Sequence, residues 1–280
     1  MSLKHAQPFT RRTGRRAQKA RSSRRSRPAA AQPTAGPSAP YVSVIIPAMN
    51  EARTIAAVIS EARQVHPRCE VIVVVNGSAD NTAEIARSMG AQVIVFEQPL
   101  GHDVGRSVGA EAARGEILLF TDGDLVIPAT GLRPFVTAAA RGADVVLNGY
   151  SGPVRRKVPH PVVLAKHALN LLLGRPDLQG FSLTAVPHAI SRKGLAALGA
   201  GLLSRPPLAH ARAVLDGLAV KAVRQIPVGR LNAVRRKADG TDPLQESILR
   251  DHQDAVGLIL ERRGPRAGFG DGGRQRGMVR

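Results

Sequence analysis

Cysteine is nearly absent from this 280-residue chain: Cys69 stands alone, so no disulfide can close within it. A chain without disulfides is at home in a reducing compartment, and a cytoplasmic location is the expectation. Long apolar runs are missing too, and none approaches the roughly 18 residues a membrane-spanning helix needs. The nearest, PVVLAKHALNLLLG at 161–174, is broken by Lys166, His167 and Asn170. A soluble or at most membrane-peripheral protein is expected. Acid is scarce, with 21 Asp and Glu against 40 Lys and Arg, but the shortage is local. Residues 1–40 hold ten basic residues and no acid, and 261–280 hold six against two. Between them 24 basic residues nearly balance 19 acidic ones, so the basicity belongs mainly to the ends and nucleic acid is not an expected partner.

The first forty residues are Arg, Ser, Ala, Pro and Gln with little to bury, a composition expected to stay disordered. Such a segment can be a basic arm for nucleic acid or anionic lipid, or a solvated tail. RRTGRR is not followed by an apolar stretch, which argues against secretion. A Gly/Arg tail is expected over 263–280. From Tyr41 the texture changes. VSVII (42–46), VIVVV (71–75), QVIVF (92–96), EILLF (116–120) and DVVLNGY (144–150) are short β-branched or apolar runs alternating with helical stretches. Continuous runs of this kind suit strands buried on both faces, so residues 41–150 are expected to form an α/β domain with a doubly wound, mainly parallel sheet. Such sheets bind ligands beyond the carboxyl ends of their strands. Asn50 is expected to cap the first helix. Residues 151–262 read as mostly helical, over 161–174, 191–199, 206–218 and 242–262, with strand-like FSLTAV and VKAVRQIPV between. They are expected to form a smaller lobe on the same sheet.

The sharpest chemical signal is LLFTDGDLVIP at 118–128, where Asp122 and Asp124 follow a buried strand. Two carboxylates at the rim of an apolar core are costly unless something positive neutralises them. If extended, period two puts both side chains on one side, where they can hold a hard cation, Mg²⁺ or Mn²⁺, with positions left for water and phosphate oxygens. The plainer reading is a turn, since Asp-Gly-Asp is common in loops.

Three segments, in order, carry a family resemblance. VSVIIPAMNEARTIAAVI, VIVVVNGSADNTAEIA and GHDVGRSVGAEAARGEILLFTDGDL resemble the opening strand and loop, the second strand, and the F-x-D-x-D-L segment of family 2 glycosyltransferases. The resemblance implies a GT-A fold and a metal-dependent transfer of one hexose from a nucleoside diphosphate sugar. It implies that Pro47, Asn50 and Glu51, with Asn76 and Ser78, surround the base and ribose. It further implies that Arg106 approaches the diphosphate and that Asp122 with Asp124 holds the metal and ribose. Two departures stand out: Val75 and Asn76 replace the usual Asp pair, and Trp is absent, which excludes the Q-x-x-R-W signature of processive synthases.

GYSGPVRRK carries the basic cluster Arg155, Arg156 and Lys157, which can bind an acceptor phosphate or be a solvated loop. The layout is similar to that of glucosyl-3-phosphoglycerate synthases, and is compatible with polyprenyl phosphate as acceptor. An inverting mechanism needs a carboxylate base in this half, and Asp216 and Asp251 are the candidates. His252 or His210 could complete the metal site, as a late histidine often does in GT-A enzymes. Alternatives outside this class are a nucleotidyltransferase, disfavoured because PAMNEA lacks a Gly-rich basic loop, and a nucleic-acid-binding protein acting through its tails.

Overall fold

The computed structural model describes residues 39–154, 157–231, 244–270 and 272. Among the described residues seven strands form one sheet: β1 (Val42–Ala48), β2 (Cys69–Asn76), β3 (Gln92–Phe96), β4 (Ile117–Phe120), β5 (Val145–Asn148), β6 (His188–Ser191) and β7 (Val220–Val223). Their order is β3-β2-β1-β4-β6-β5-β7. Every pairing is parallel except those of β6, which runs against both β4 and β5. The helices are α1 (Ile55–Arg63), α2 (Thr82–Ser88), α3 (Val104–Ala112), α4 (Ala129–Ala140), α5 (Pro161–Leu172), α6 (Arg192–Leu198), α7 (Pro206–Leu215), α8 (Val228–Leu231) and α9 (Gln245–Arg263).

The apolar runs are strands because both faces are covered. Val42, Val44 and Ile46 of β1 enter one buried cluster with residues of α1, α2 and α4, while Ile45 enters the other with residues of α3, α6 and α7. Alternation on the pleat therefore leaves no face for water, and a polar residue in every second place would be unpaired. A third cluster joins α5, α7 and α9 through Leu169, Leu173, Ala211, Ala255 and Ile259. Ala267, expected in a tail beginning at 263, is buried in that cluster.

Two local expectations fail. FSLTAV is turn and irregular chain, and the strand is its neighbour β6, HAIS, a four-residue run too short and too polar at both ends to stand out. Asn50 does not cap α1, whose N-cap residue is Thr54. Instead Asn50 has φ 58° and turns its amide toward the loop after β2. No helix among the described residues is long and apolar enough to cross a membrane.

Candidate functional site

The carboxyl ends of β1, β2, β3 and β4 lie along one edge of the sheet, and their loops interlock there. Asn50 Oδ1 accepts from the Ala79 amide at 2.8 Å, and the Asn50 amide donates to Ser78 Oγ at 2.9 Å. The Glu51 amide donates to the buried Thr82 Oγ1 at 2.8 Å, and the Ala52 amide to Asp80 Oδ2 at 3.1 Å. Asp80 accepts from the Thr82 amide and hydroxyl as well. Its carboxyl is held below the usual range because these hydrogen bonds outweigh desolvation. The sequence motif therefore works partly as scaffolding, with Asp80 and Thr82 tying two loops into one wall.

Asn76 is buried at the tip of β2, but its amide is taken at both ends. Nδ2 donates to the Gly101 carbonyl at 2.9 Å, and Oδ1 accepts from the Leu100 amide at 2.8 Å. In this conformation it fixes the loop after β3. Pro47 and Glu51 stand at the same wall, with Gly105 of α3 so close to Pro47 that an added Cβ would lie 3.0 Å from its Cβ.

Asp122 and Asp124 stand just past β4, which ends at Phe120. They are not extended: the Leu125 amide donates to the Asp122 carbonyl at 3.2 Å, closing a turn. Gly123 between them is required by close approach. Its amide donates to the Pro47 carbonyl, and a Cβ there would lie 2.9 Å from that of Ala48 and 3.2 Å from the Pro47 oxygen. Both carboxylates remain partly exposed on either side of this buried pivot.

The positive partner of Asp122 within the chain is Arg106, whose Nη2 lies 3.5 Å from Asp122 Oδ1. Arg106 is 4% exposed on α3 and also meets Asp103 at 2.7 Å. Burial works against its charge, but Asp103 and Asp122 more than offset it, so its pKa lies above the ordinary arginine value. The Asp103 contact is close without hydrogen-bond alignment, since Arg106 Nη1 and Asp103 Oδ1 both lack a hydrogen-bond partner. The guanidinium is thus buried beside the carboxylates with donor capacity to spare.

His188 completes this corner and escaped the sequence reading. It opens β6 opposite Phe120, and the two rings stack with centroids 4.9 Å apart. Its Nδ1 lies 3.1 Å from the Ala185 carbonyl, which sets Nδ1 as the protonated nitrogen. Burial, helped by the nearby Arg106 charge, pushes its pKa down to about 3, so the imidazole is neutral.

Other expected residues lie elsewhere. Asp216 follows α7 and precedes β7, a strand parallel to β5, and so sits at the edge opposite Asp122. It is bound by Arg212 at 2.9 Å and by Arg262. Desolvation opposes its charge, but those hydrogen bonds hold its pKa below the usual carboxylate value, the wrong direction for a general base. Asp251 is paired with Arg205 at 3.2 Å. His252 lines a 360 Å³ cavity between α5 and α9 and bonds through Nδ1 to the Ile248 carbonyl. Among the described residues no group of three His, Cys, Asp or Glu could hold a metal, so His252 does not join Asp122 and Asp124. His210 bonds Asn170 Oδ1 at 2.7 Å on the buried side of α7. Lys157 is exposed, and Arg155 and Arg156 lie outside the described residues.

The donor set nevertheless fits a hard cation. Two partly exposed carboxylates just past the carboxyl end of β4 match Mg²⁺ or Mn²⁺, which commonly use one or two protein carboxylates and fill the remaining positions with water and phosphate oxygens.

Residues 43–171 match the family model described as glycosyl transferase family 2. The chain is 37% identical to glycosyltransferase AglE of Haloferax volcanii over 116 residues, 38% of each protein. It is 30% identical to the undecaprenyl-phosphate 4-deoxy-4-formamido-L-arabinose transferase of Aeromonas hydrophila over 115 residues, 38% of this chain and 35% of that one. It is 32% identical to the dolichyl-phosphate hexose transferase of Haloferax volcanii over 105 residues, 38% of this chain and 46% of that one. The matches thus span under half the length of these curated relatives. Glucosyl-3-phosphoglycerate synthase from Mycobacterium tuberculosis with UDP superposes with a TM-score of 0.56 at 24% identity, over 84% of this chain and 82% of that one. The same enzyme with Mn²⁺, UDP-glucose and phosphoglyceric acid gives 0.57 at 23%, over the same shares. Those likenesses establish the architecture, an α/β GT-A-like fold. The matched segment, 43–171, runs from β1 into α5 and makes up somewhat under half of the chain; over that stretch the chain is similar to glycosyl transferase family 2.

Proposed function

We propose that this chain transfers a single hexose from a nucleoside diphosphate sugar to a phosphorylated acceptor, small or lipid-linked, with Mg²⁺ or Mn²⁺ at Asp122 and Asp124. The observation that carries the reading is the corner where Asp122, one of two partly exposed carboxylates beyond β4, meets the buried Arg106. A bound divalent cation would neutralise charge on the departing diphosphate. The chain's own part is electrostatic. Arg106, oriented by Asp103, supplies a second positive centre fixed before the reaction, where such preorganised charge is most effective. Asp122 aligns that guanidinium from the other side. His188, neutral and held by the Ala185 carbonyl, adds no positive charge to the corner and leaves Arg106 its sole fixed cation among the residues described there.

The phosphorylated acceptor is supported from two sides. Relatives are named for undecaprenyl and dolichyl phosphates, and the neighbouring synthase holds phosphoglyceric acid. Arg155, Arg156 and Lys157 follow β5 in the sequence and are the acceptor-phosphate candidates on this reading. A thermal-shift panel of UDP-, GDP- and TDP-sugars, with and without Mn²⁺, tests donor and metal together. One donor should stabilise the chain, and only when metal is present. Equal response to none of them, with and without metal, refutes the reading.

A further inference from the structure

Away from the sheet edge, in the layer where α5, α7 and α9 pack together, a second group of buried polar atoms lacks partners. Lys166 of α5 is 6% exposed, and among the described residues it has neither an acid partner nor a hydrogen-bond acceptor. Acids on adjoining segments are already engaged: Asp177 by Arg175 at 2.8 Å, and Asp251 and Asp254 by Arg205. Burial pushes the Lys166 pKa down to about 8, which leaves the ammonium charged at neutral pH. Buried charges in folded proteins are paired, so the partner of this one is to be sought outside the chain.

Two imidazoles lie within electrostatic reach of it, His210 on α7 and His252 on α9. Burial lowers both pKa values and Lys166 lowers each further, as His252 and Arg175 also do for His210. Their tautomers are fixed by their neighbours. Asn170 Nδ2 donates to the Gln179 and Phe181 carbonyls, so its Oδ1 accepts the proton of His210 Nε2. The Ile248 carbonyl likewise accepts the proton of His252 Nδ1. The remaining nitrogens, His210 Nδ1 and His252 Nε2, are therefore lone pairs, and both are buried without a partner. His252 also lines the 360 Å³ cavity between α5 and α9, whose other walls include Leu169, Leu249 and Val256. Ala168 and Gln253 of that lining are exposed, which gives the cavity a way in from solvent.

The ammonium repels a metal cation, and the two lone pairs offer nothing to an anion that lacks hydrogen. An oxyanion carrying its own O–H satisfies both, since a charged oxygen accepts from Lys166 while a hydroxyl donates to an imidazole. We propose that Lys166, His210 and His252 form a binding site for a protonated phosphate group, entered from the cavity between α5 and α9. The site stands apart from Asp122 and Arg106 and does not rest on the sugar-transfer reading.

Thermal unfolding of the full-length protein and of Lys166→Met, with millimolar inorganic phosphate or sulfate, tests it. Without either anion, Lys166→Met should melt higher, because it removes a buried charge that has no partner. Phosphate should raise the wild-type melting temperature by a few degrees for each tenfold increase once the site is filled, and should leave Lys166→Met unmoved. Sulfate, which carries no proton at neutral pH, should do far less. Phenyl phosphate acting as well as phosphate would assign the site to an ester whose apolar body lies in the cavity, and phosphate acting alone would assign it to the free ion. Phosphate should also shift the ring-proton resonances of His210 and His252, identified by their loss in His210→Gln and His252→Gln. The proposal is overturned if Lys166→Met melts lower without anion, since an acid of the chain would then already pair with the lysine. It is overturned equally if both proteins gain alike from phosphate, which would then act at Arg106 or the basic ends, if sulfate matches phosphate, or if the two imidazole signals stay still.

Discussion

At the scale of single residues, the corner formed by Asp122, Arg106 and His188 makes definite demands. Asp122→Asn keeps the shape of the side chain and removes its charge, so folding should be unchanged while sugar transfer falls by at least ~100-fold, as loss of a transition-state charge stabiliser does. Full turnover by that variant, measured with the donor identified by thermal shift, would remove Asp122 from the mechanism. His188 and His210 are buried neutral with pKa values near 3, depressed by burial. A histidine whose folded pKa is depressed contributes stability above its unfolded pKa of about 6.5, and loses it as pH falls from there toward the folded value. Stability by urea unfolding should therefore drop between pH 6.5 and pH 4, each histidine adding a slope of up to ~1.4 kcal/mol per pH unit. His188→Phe should remove one such share. The aspartate doublet was visible in the sequence because D-G-D follows an apolar strand. His188 was not, because its importance comes from β6 running antiparallel beside β4, a pairing no local pattern announces.

At the scale of elements, helix α3 decides how the site is held. Gly109 packs so tightly on β1 that an added Cβ would stand 2.3 Å from Ile45 Cγ2. Gly109→Ala should cost about 1–3 kcal/mol, the usual range for overpacking, and should displace Arg106 with the helix. A lowered urea midpoint together with weakened donor binding would show both effects. A neutral outcome would mean that α3 can retreat without disturbing the corner. Gly105 of the same helix packs closely on Pro47, whereas Gly101 before it serves a turn with φ 119°. The five parallel strands and the helices between them were also legible, since runs such as VIVVV can be buried only inside a covered sheet. The roles of Asn50 and Asn76 were less so. Their amides are spent on neighbouring loops, and which loops are neighbours depends on strand order.

For the whole molecule, charge and fold separate cleanly. Most of the excess basicity sits at the chain ends, while the residues gathered at the carboxyl edge of the sheet around Asp122 lie between 47 and 188. A chain starting at Ser38 should keep its donor affinity and its metal response in the thermal-shift assay. Any affinity for DNA, with its steep salt dependence, should collapse with the removed basic residues. Loss of donor binding on truncation would mean that the N-terminal segment contributes to the donor site.

Composition and local pattern were enough to establish the alternation of strands and helices, the location of the charge, and the acidic pair at the tip of the fourth strand. These are properties of neighbours along the chain, where periodicity and side-chain chemistry act directly. Assembly in space decided the rest: it sent Asp216 to the far edge, placed His252 among helices away from the carboxylates, and brought His188 beside Phe120 and Arg106. Those outcomes depend on the direction of β6 and β7 in the sheet, and strand direction is set by packing between segments distant in sequence.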